Sequence, residues 1–152
     1  MKVLGIIPAR GGSKGIRKKN IKLLSGKPLI SYTIESSLSS NLDNVLVSTD
    51  SDEIRKVSRL YGVEVLKRPA QLAQDKTPTL NVIQHVLASI SETYEAIMIL
   101  QPTSPLRTKE HINESLDIFK NDSKADSLVS VLKVPHNFLS AKQMSLEKGY
   151  LN

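Results

Sequence analysis

The apolar residues of this chain fall into two alternating patterns. Short runs rich in Val, Ile and Leu occur at Lys2–Pro8, Asn44–Thr49, Val63–Lys67, Ala96–Gln101 and Ser127–Val134. Runs of this length and composition read as strands covered on both faces. Between them the spacing lengthens to that of a helix. Leu29/Ile30, Thr33/Ile34 and Ser37/Leu38 recur four apart. Ile54, Val57 and Leu60/Tyr61 form a second stripe, with Gly62 placed to cap its C-terminus. Asp50 ends the second predicted strand, where it could lie near a bound ligand; it also fits the N-cap of that helix, with Glu53 three residues on completing a capping box, and Asp52 and Glu53 favour its positive start. Leu80, Ile83, Val86, Leu87 and Ile90 form a third stripe, opened by Thr77 as N-cap and Pro78 at the first helical position. Ile112, Leu116 and Phe119 form a fourth, after Thr108.

The predicted order is βαβαβαβαβ, which implies an α/β layered fold with a mostly parallel central sheet. Such sheets collect ligands beyond the C-terminal ends of their strands. No repeat or linker interrupts the pattern, so residues 1–152 read as one domain. After Val134 the sequence is irregular and ends without a closing element.

Composition narrows the function. There is no Cys, which excludes disulfides and thiolate metal sites and fits a reducing compartment. Aromatics make up 4% with no Trp, a poor supply for stacking single-stranded nucleic acid. No apolar run approaches the roughly 18–20 residues of a membrane span, and the first residues do not form a signal peptide. The expected location is therefore the cytoplasm. His85, His111 and His136 have no metal-ligand spacing, so structural or surface roles are expected of them.

Charge changes the picture most. Residues 1–27 hold Lys2, Arg10, Lys14, Arg17, Lys18, Lys19, Lys22 and Lys27 and no acidic residue, a local charge of +8 on a chain whose net charge is +6. The rest of the chain is close to neutral. One strongly positive segment suits the phosphates of a nucleotide or of a nucleic acid; a solvated charge run is the plain alternative. The absence of a basic helix argues against nucleic acid.

That segment contains PARGGSKGIRKKN, residues 8–20, directly after the first predicted strand. Gly11, Gly12 and Gly15 allow a backbone to approach an anion closely, and Arg10, Lys14, Lys18 and Lys19 supply charge. Two familiar phosphate loops are excluded. G-x-G-x-x-G fails because Ser13 stands at the second glycine, and Walker A fails because Ile21 and Pro28 stand at its first and last positions.

The string IPARGGSKGIxxKN, Ile7–Asn20, closely resembles the first motif of the acylneuraminate cytidylyltransferases, with relatives acting on legionaminic and pseudaminic acids. Four more segments resemble that family's later motifs in order: VLVSTDSDEI (45–54), RPAQLAQDKTPT (68–79), LQPTSPLR (100–107) and DSLVSV (126–131). The family usually has Pro where this chain has Arg17, which leaves the loop freer and adds charge. The Kdo cytidylyltransferases lack RGGSKG and LQPTSP and match less well.

The resemblance implies a three-layer nucleotidyltransferase fold and transfer of CMP from CTP to the anomeric hydroxyl of a sialic-acid-like nonulosonic acid, releasing pyrophosphate. Arg10, Gly11, Gly12, Ser13, Lys14, Lys19 and Asn20 match the triphosphate loop, with Lys19 first and Arg10 second as the cations that stabilise the transferred phosphate. Arg68 matches a nucleotide contact, and Thr77 and Thr79 match the segment facing the base. Gln101 matches a sugar-binding position, and Arg107 could reach a carboxylate or phosphate, or serve only in a structural ion pair. The family uses Mg²⁺ or another divalent cation. No metal-ligand motif occurs in this chain, because the family's metal-binding aspartates lie in a later segment. Full-length members are longer, so the chain is expected to be truncated at its C-terminus, and the full-length enzyme is expected to be a homodimer. Alternatives are a cytidylyltransferase for another keto-sugar acid such as Kdo, and a nucleotide-binding fragment that is catalytically incomplete.

Overall fold

The computed structural model describes residues 1–132, 144, 146–147 and 150–151. Its centre is a four-stranded, all-parallel sheet built from β1 (Val3–Pro8), β4 (Asn44–Thr49), β5 (Glu64–Lys67) and β6 (Ala96–Ile99) in the order β5-β4-β1-β6. Two residue pairs, β2 (Leu23–Leu24) and β3 (Lys27–Pro28), form a small antiparallel hairpin after the first strand. A second hairpin joins β7 (Leu146–Glu147) to β8 (Tyr150–Leu151). The helices are α1 (Leu29–Leu38), α2 (Asp52–Leu60), α3 (Thr79–Ser89) and α4 (Lys109–Asn121), with short 3-10 turns at Lys19–Ile21 and Ala70–Ala73.

β1 is apolar throughout because both of its faces are covered. Val3 and Ile7 pack with Ile30 and Ile34 of α1, Ile54 of α2, and Ile112 and Leu116 of α4. Leu4 and Ile6 point to the other face, against Ile83 and Val86 of α3. The period of two along β1 thus divides the core into two layers, and the sheet lies between helical layers. Leu4, Ile6 and Ile7 are all at most 1% exposed.

The chain leaves β1 in both directions. It runs through α1 to β4 and through α2 to β5 on one side, then returns through α3 to β6 on the other side of β1. The switch point lies between the C-terminal ends of β1 and β6, and a crevice opens at such a point.

The β7–β8 hairpin falls in the stretch after Val134 that was expected to be irregular, and the predicted elements otherwise stand with four differences. First, Ser51 caps α2: its hydroxyl accepts from the Ile54 N–H at 3.4 Å, and Asp50 is engaged elsewhere. Second, Pro78 rather than Thr77 precedes α3, and the Thr77 hydroxyl donates to the Gln71 carbonyl at 3.4 Å. Third, β6 ends at Ile99, two residues before Gln101. Fourth, residues 127–132 are not a strand. Leu128, Val129, Val131 and Leu132 are exposed, Leu132 to 86%, because no strand pairs with this segment to satisfy its backbone. Residues 133 and 134 of the predicted strand, and His136, lie outside the described residues.

The hairpin turn at Ser25–Gly26, where both φ are positive, has no counterpart in the predicted elements. Gly62 follows α2 at φ +78°, as its position at the end of the apolar stripe requires. Among the described residues no helix is long and apolar enough to cross a membrane.

Candidate functional site

A cleft of about 710 Å³ occupies the switch point, lined by Pro8 and Arg10 from the end of β1 and by Gln101 and Pro102 beyond β6. Its other walls come from the glycine loop and from the segment between β5 and α3. The structure brings nine of the predicted site residues to this cleft: Arg10, Ser13, Lys14, Lys19, Asn20, Arg68, Thr77, Thr79 and Gln101. These come from three segments far apart in sequence. Four of them are cations, and Asp75 is the single carboxylate among the lining residues.

Local chemistry holds the loop in place. Asn20 is 6% exposed, and its amide Nδ2 donates to the Arg10 carbonyl at 3.0 Å, closing the loop across ten residues. Lys18 adopts the left-handed conformation (φ 52°) and its ammonium reaches Glu53 of α2 at 2.6 Å. That turn leads directly into the 3-10 turn carrying Lys19 and Asn20. Lys19 is half-buried at the cleft wall and has no ion-pair partner among the described residues.

Arg10 and Lys14 are both paired with Asp75. Arg10 Nη1 lies 2.8 Å from Asp75 Oδ1, and Lys14 Nζ lies 2.5 Å from Asp75 Oδ2. Asp75 therefore clasps the glycine loop to the segment before α3. Its hydrogen bond from Lys14, followed by that from Arg10, holds the carboxyl below the usual aspartate range.

Arg68 is the deepest cation, only 5% exposed. Its backbone N–H donates to the Thr49 carbonyl at 2.8 Å, fixing the residue beside the end of β4. Its Nε and Nη2 are buried and have no hydrogen-bond partner among the described residues. Asp50 Oδ1 lies 4.0 Å from Nη2. Burial pushes the guanidinium pKa down, Asp50 pulls it back up, and Arg10 pushes it down again. A buried donor pair of this kind is costly unless something bonds to it.

Three predicted residues do not line the cleft. The Gly11 N–H donates to Asp50 Oδ1 at 2.9 Å, so it is committed to the end of β4. An added Cβ at Gly11 would stand 2.8 Å from Ser51 Cβ, so the glycine is required by this close approach. Gly12 is exposed, with open space around it. Arg107 directs both Nη1 and Nη2 to the Gln101 carbonyl at 3.4 Å, and no carboxylate pairs with it among the described residues. It braces the loop that carries Gln101.

Asp75 has no assigned role in the motifs of the sequence, although it lines the cleft. The signal was its place in AQDKTPT, between Arg68 and Thr79 of one motif. His111 has a structural part: its Nδ1 accepts from the Thr108 N–H at 3.1 Å at the start of α4.

A family profile described as cytidylyltransferase matches residues 4–146. The chain belongs to the cytidylyltransferase family. It is 44% identical over 133 residues to an N-acylneuraminate cytidylyltransferase of Escherichia coli, covering 87% of this chain and 32% of that protein. It is 39% identical over 136 residues to the CMP-N,N'-diacetyllegionaminic acid synthase of Legionella pneumophila, covering 86% of this chain and 58% of that protein. Among solved structures, a CMP:2-keto-3-deoxy-manno-octonic acid synthetase complexed with CTP superposes with a TM-score of 0.71 at 21% identity, covering 82% of this chain and 49% of that one. The chain thus spans about a third to a little over half of the length of these relatives. They bear out the resemblance carried by the five motifs, and the neighbour shares the mostly parallel sheet between helices.

Proposed function

We propose that the cleft binds CTP and serves the transfer of CMP to the anomeric hydroxyl of a sialic-acid-like nonulosonic acid. The observation that carries this is the convergence of Arg10, Lys14, Lys19 and Arg68 around a crevice at the C-terminal ends of β1 and β6. A triphosphate is the substrate group that such a charge distribution suits.

In this reaction the anomeric oxygen attacks the α-phosphorus of CTP. A new P–O bond forms, the bond to the bridging oxygen of the β-phosphate breaks, and pyrophosphate leaves carrying the electron pair. The hydroxyl proton passes to solvent. The chain's own part is positioning and electrostatic stabilisation. Lys19, unpaired at the wall, neutralises charge growing on the transferred phosphate. Arg10 and Lys14 exchange the Asp75 carboxylate for triphosphate oxygens. Arg68 offers its two unbonded nitrogens to the nucleotide. Thr77 and Thr79 line the cleft from the segment between β5 and α3 and are the residues assigned to the base, and Gln101, which lines it from beyond β6, is assigned to the sugar.

A divalent cation is the usual companion of a triphosphate in such chemistry. The described residues do not fit one by themselves: no group of three or more His, Asp or Glu comes together, and the cleft's only lining carboxylate is tied to two cations. No step above runs through the ion.

Calorimetric titration with CTP, followed by pyrophosphate release assayed with a panel of N-acetylneuraminic, legionaminic and Kdo-type acids, tests this reading. Saturable CTP binding with turnover of a nine-carbon acid is expected. Absence of CTP binding would sink it, and preference for Kdo would move the substrate to another keto-sugar acid.

A further inference from the structure

We propose that Asp50 is a positioning residue that orients Arg68 toward the cleft while anchoring the glycine loop. This rests on the reading of the cleft as a nucleotide site. Asp50 does not line the cleft, so its action is through other groups.

Three observations meet at this carboxylate. Its Oδ1 accepts from the Gly11 N–H at 2.9 Å, across a sequence separation of 39. The same oxygen lies 4.0 Å from Arg68 Nη2. It is also the carboxylate that faces a guanidinium whose Nε and Nη2 bond to nothing else. Arg68 is buried next to Arg10, so without Asp50 a buried cation would face another cation alone. Asp50 compensates that charge at 4.0 Å, a distance too long for a direct hydrogen bond. The guanidinium nitrogens therefore stay available to a ligand.

The turn that carries Asp50 is itself held. Ser51 donates its N–H to Thr49 Oγ1 at 3.1 Å and caps α2 with its hydroxyl. The Arg68 N–H is fixed to the Thr49 carbonyl at 2.8 Å. Asp50 and Arg68 thus leave the ends of adjacent parallel strands, β4 and β5, with their backbones joined at Thr49. Gly11 must lack a side chain for the loop to reach this turn. One carboxylate therefore sets the relation between the loop's first residues and the deepest cation of the cleft.

Asp50→Asn separates the two tasks. The amide keeps the oxygen that accepts from Gly11 and removes the charge that faces Arg68. CTP affinity, measured by calorimetry, is compared for the native chain, Asp50→Asn, Arg68→Met and the double variant. Asp50→Asn is expected to weaken CTP about five- to twentyfold, and the double variant to bind no more weakly than Arg68→Met alone. Losses that multiply would overturn the proposal, since they would mean that Asp50 acts independently of Arg68. The Arg68 Nε–H resonance is a second readout. It should move in Asp50→Asn and keep its native position in Asp50→Glu, which retains the charge. An unmoved resonance in Asp50→Asn rejects the coupling, even if that variant binds CTP poorly. Failure of the native chain to bind CTP would reject the nucleotide reading, while the resonance would still report separately on the Asp50–Arg68 pair.

Discussion

Lys19 and Asp75 stand in opposite electrostatic situations within the same cleft. Lys19 has no ion-pair partner among the described residues, whereas Asp75 holds both Arg10 and Lys14. In the proposed reaction, removing Lys19 takes away a charge that would offset the growing negative charge on the phosphate. Lys19→Ala is expected to lower kcat/KM by at least about tenfold, and a nearly unchanged rate would exclude it from the chemistry. Removing the Asp75 charge is expected to do the reverse for binding, because in the proposed reading a triphosphate would compete with this carboxylate for two cations. Asp75→Asn is expected to tighten CTP up to about fivefold, the scale of an exposed ion pair. Weaker binding would show that Asp75 instead holds the cations in the productive place. The clasp also has a pH signature. The Asp75 pKa is depressed in the folded chain, so the ion pairs are present above the ordinary aspartate value and are lost as pH falls through the lowered one. A carboxyl carbon titration of Asp75 with its midpoint lower than that of an ordinary aspartate is expected, and an ordinary or raised midpoint is inconsistent with the clasp.

At the scale of elements, β1, β4 and the helices were legible from their apolar periods, although Leu38, Leu60, Leu80 and Leu87 of the predicted stripes are exposed and β5 and β6, expected to be covered on both faces, are only partly buried. β1 reads as a covered strand from Val3 to Ile7, and α3 reads as a helix from Ile83 and Val86. Truncating Ile6, fully buried between β1's neighbours and α3, is expected to cost about 2–5 kcal/mol in denaturant unfolding. A cost under about 1 kcal/mol would mean the two-layer core is wrongly drawn. The caps were less legible, since Asp50 and Ser51 both have the chemistry to cap α2 and only the loop's approach decides between them. Asp50 is taken by Gly11, so Ser51 serves the helix. The segment 127–132 shows the limit of a periodicity argument. A β-rich run becomes a strand only where an edge is available and paired, and local sequence carries no information on that pairing. The candidate site was legible as motifs, while the clasp at Asp75 and the engagement of Gly11 depend on contacts between distant segments.

For the molecule as a whole, the +8 of the first 27 residues acquires a location. Lys2 pairs with Glu92, Lys18 with Glu53 and Lys27 with Glu35, so several of these charges are neutralised on the outer surface. Arg10, Lys14 and Lys19 converge instead on the cleft, where they join Arg68 from the third parallel strand's end. The field that a ligand meets is therefore set by a few charges at the switch point and only weakly by the net +6. Nucleotides with more phosphates should sense it more. Raising salt from about 0.05 to 0.5 M shortens the Debye length from roughly 14 to 4 Å, which screens the exposed loop cations strongly and buried Arg68 little. If the loop cations serve the outer phosphates, as proposed, affinity for CTP is expected to fall severalfold over that range and affinity for CMP much less. Equal salt dependence for CTP and CMP would place the loop cations away from the triphosphate, and would leave Arg68 as the principal electrostatic contact of the site.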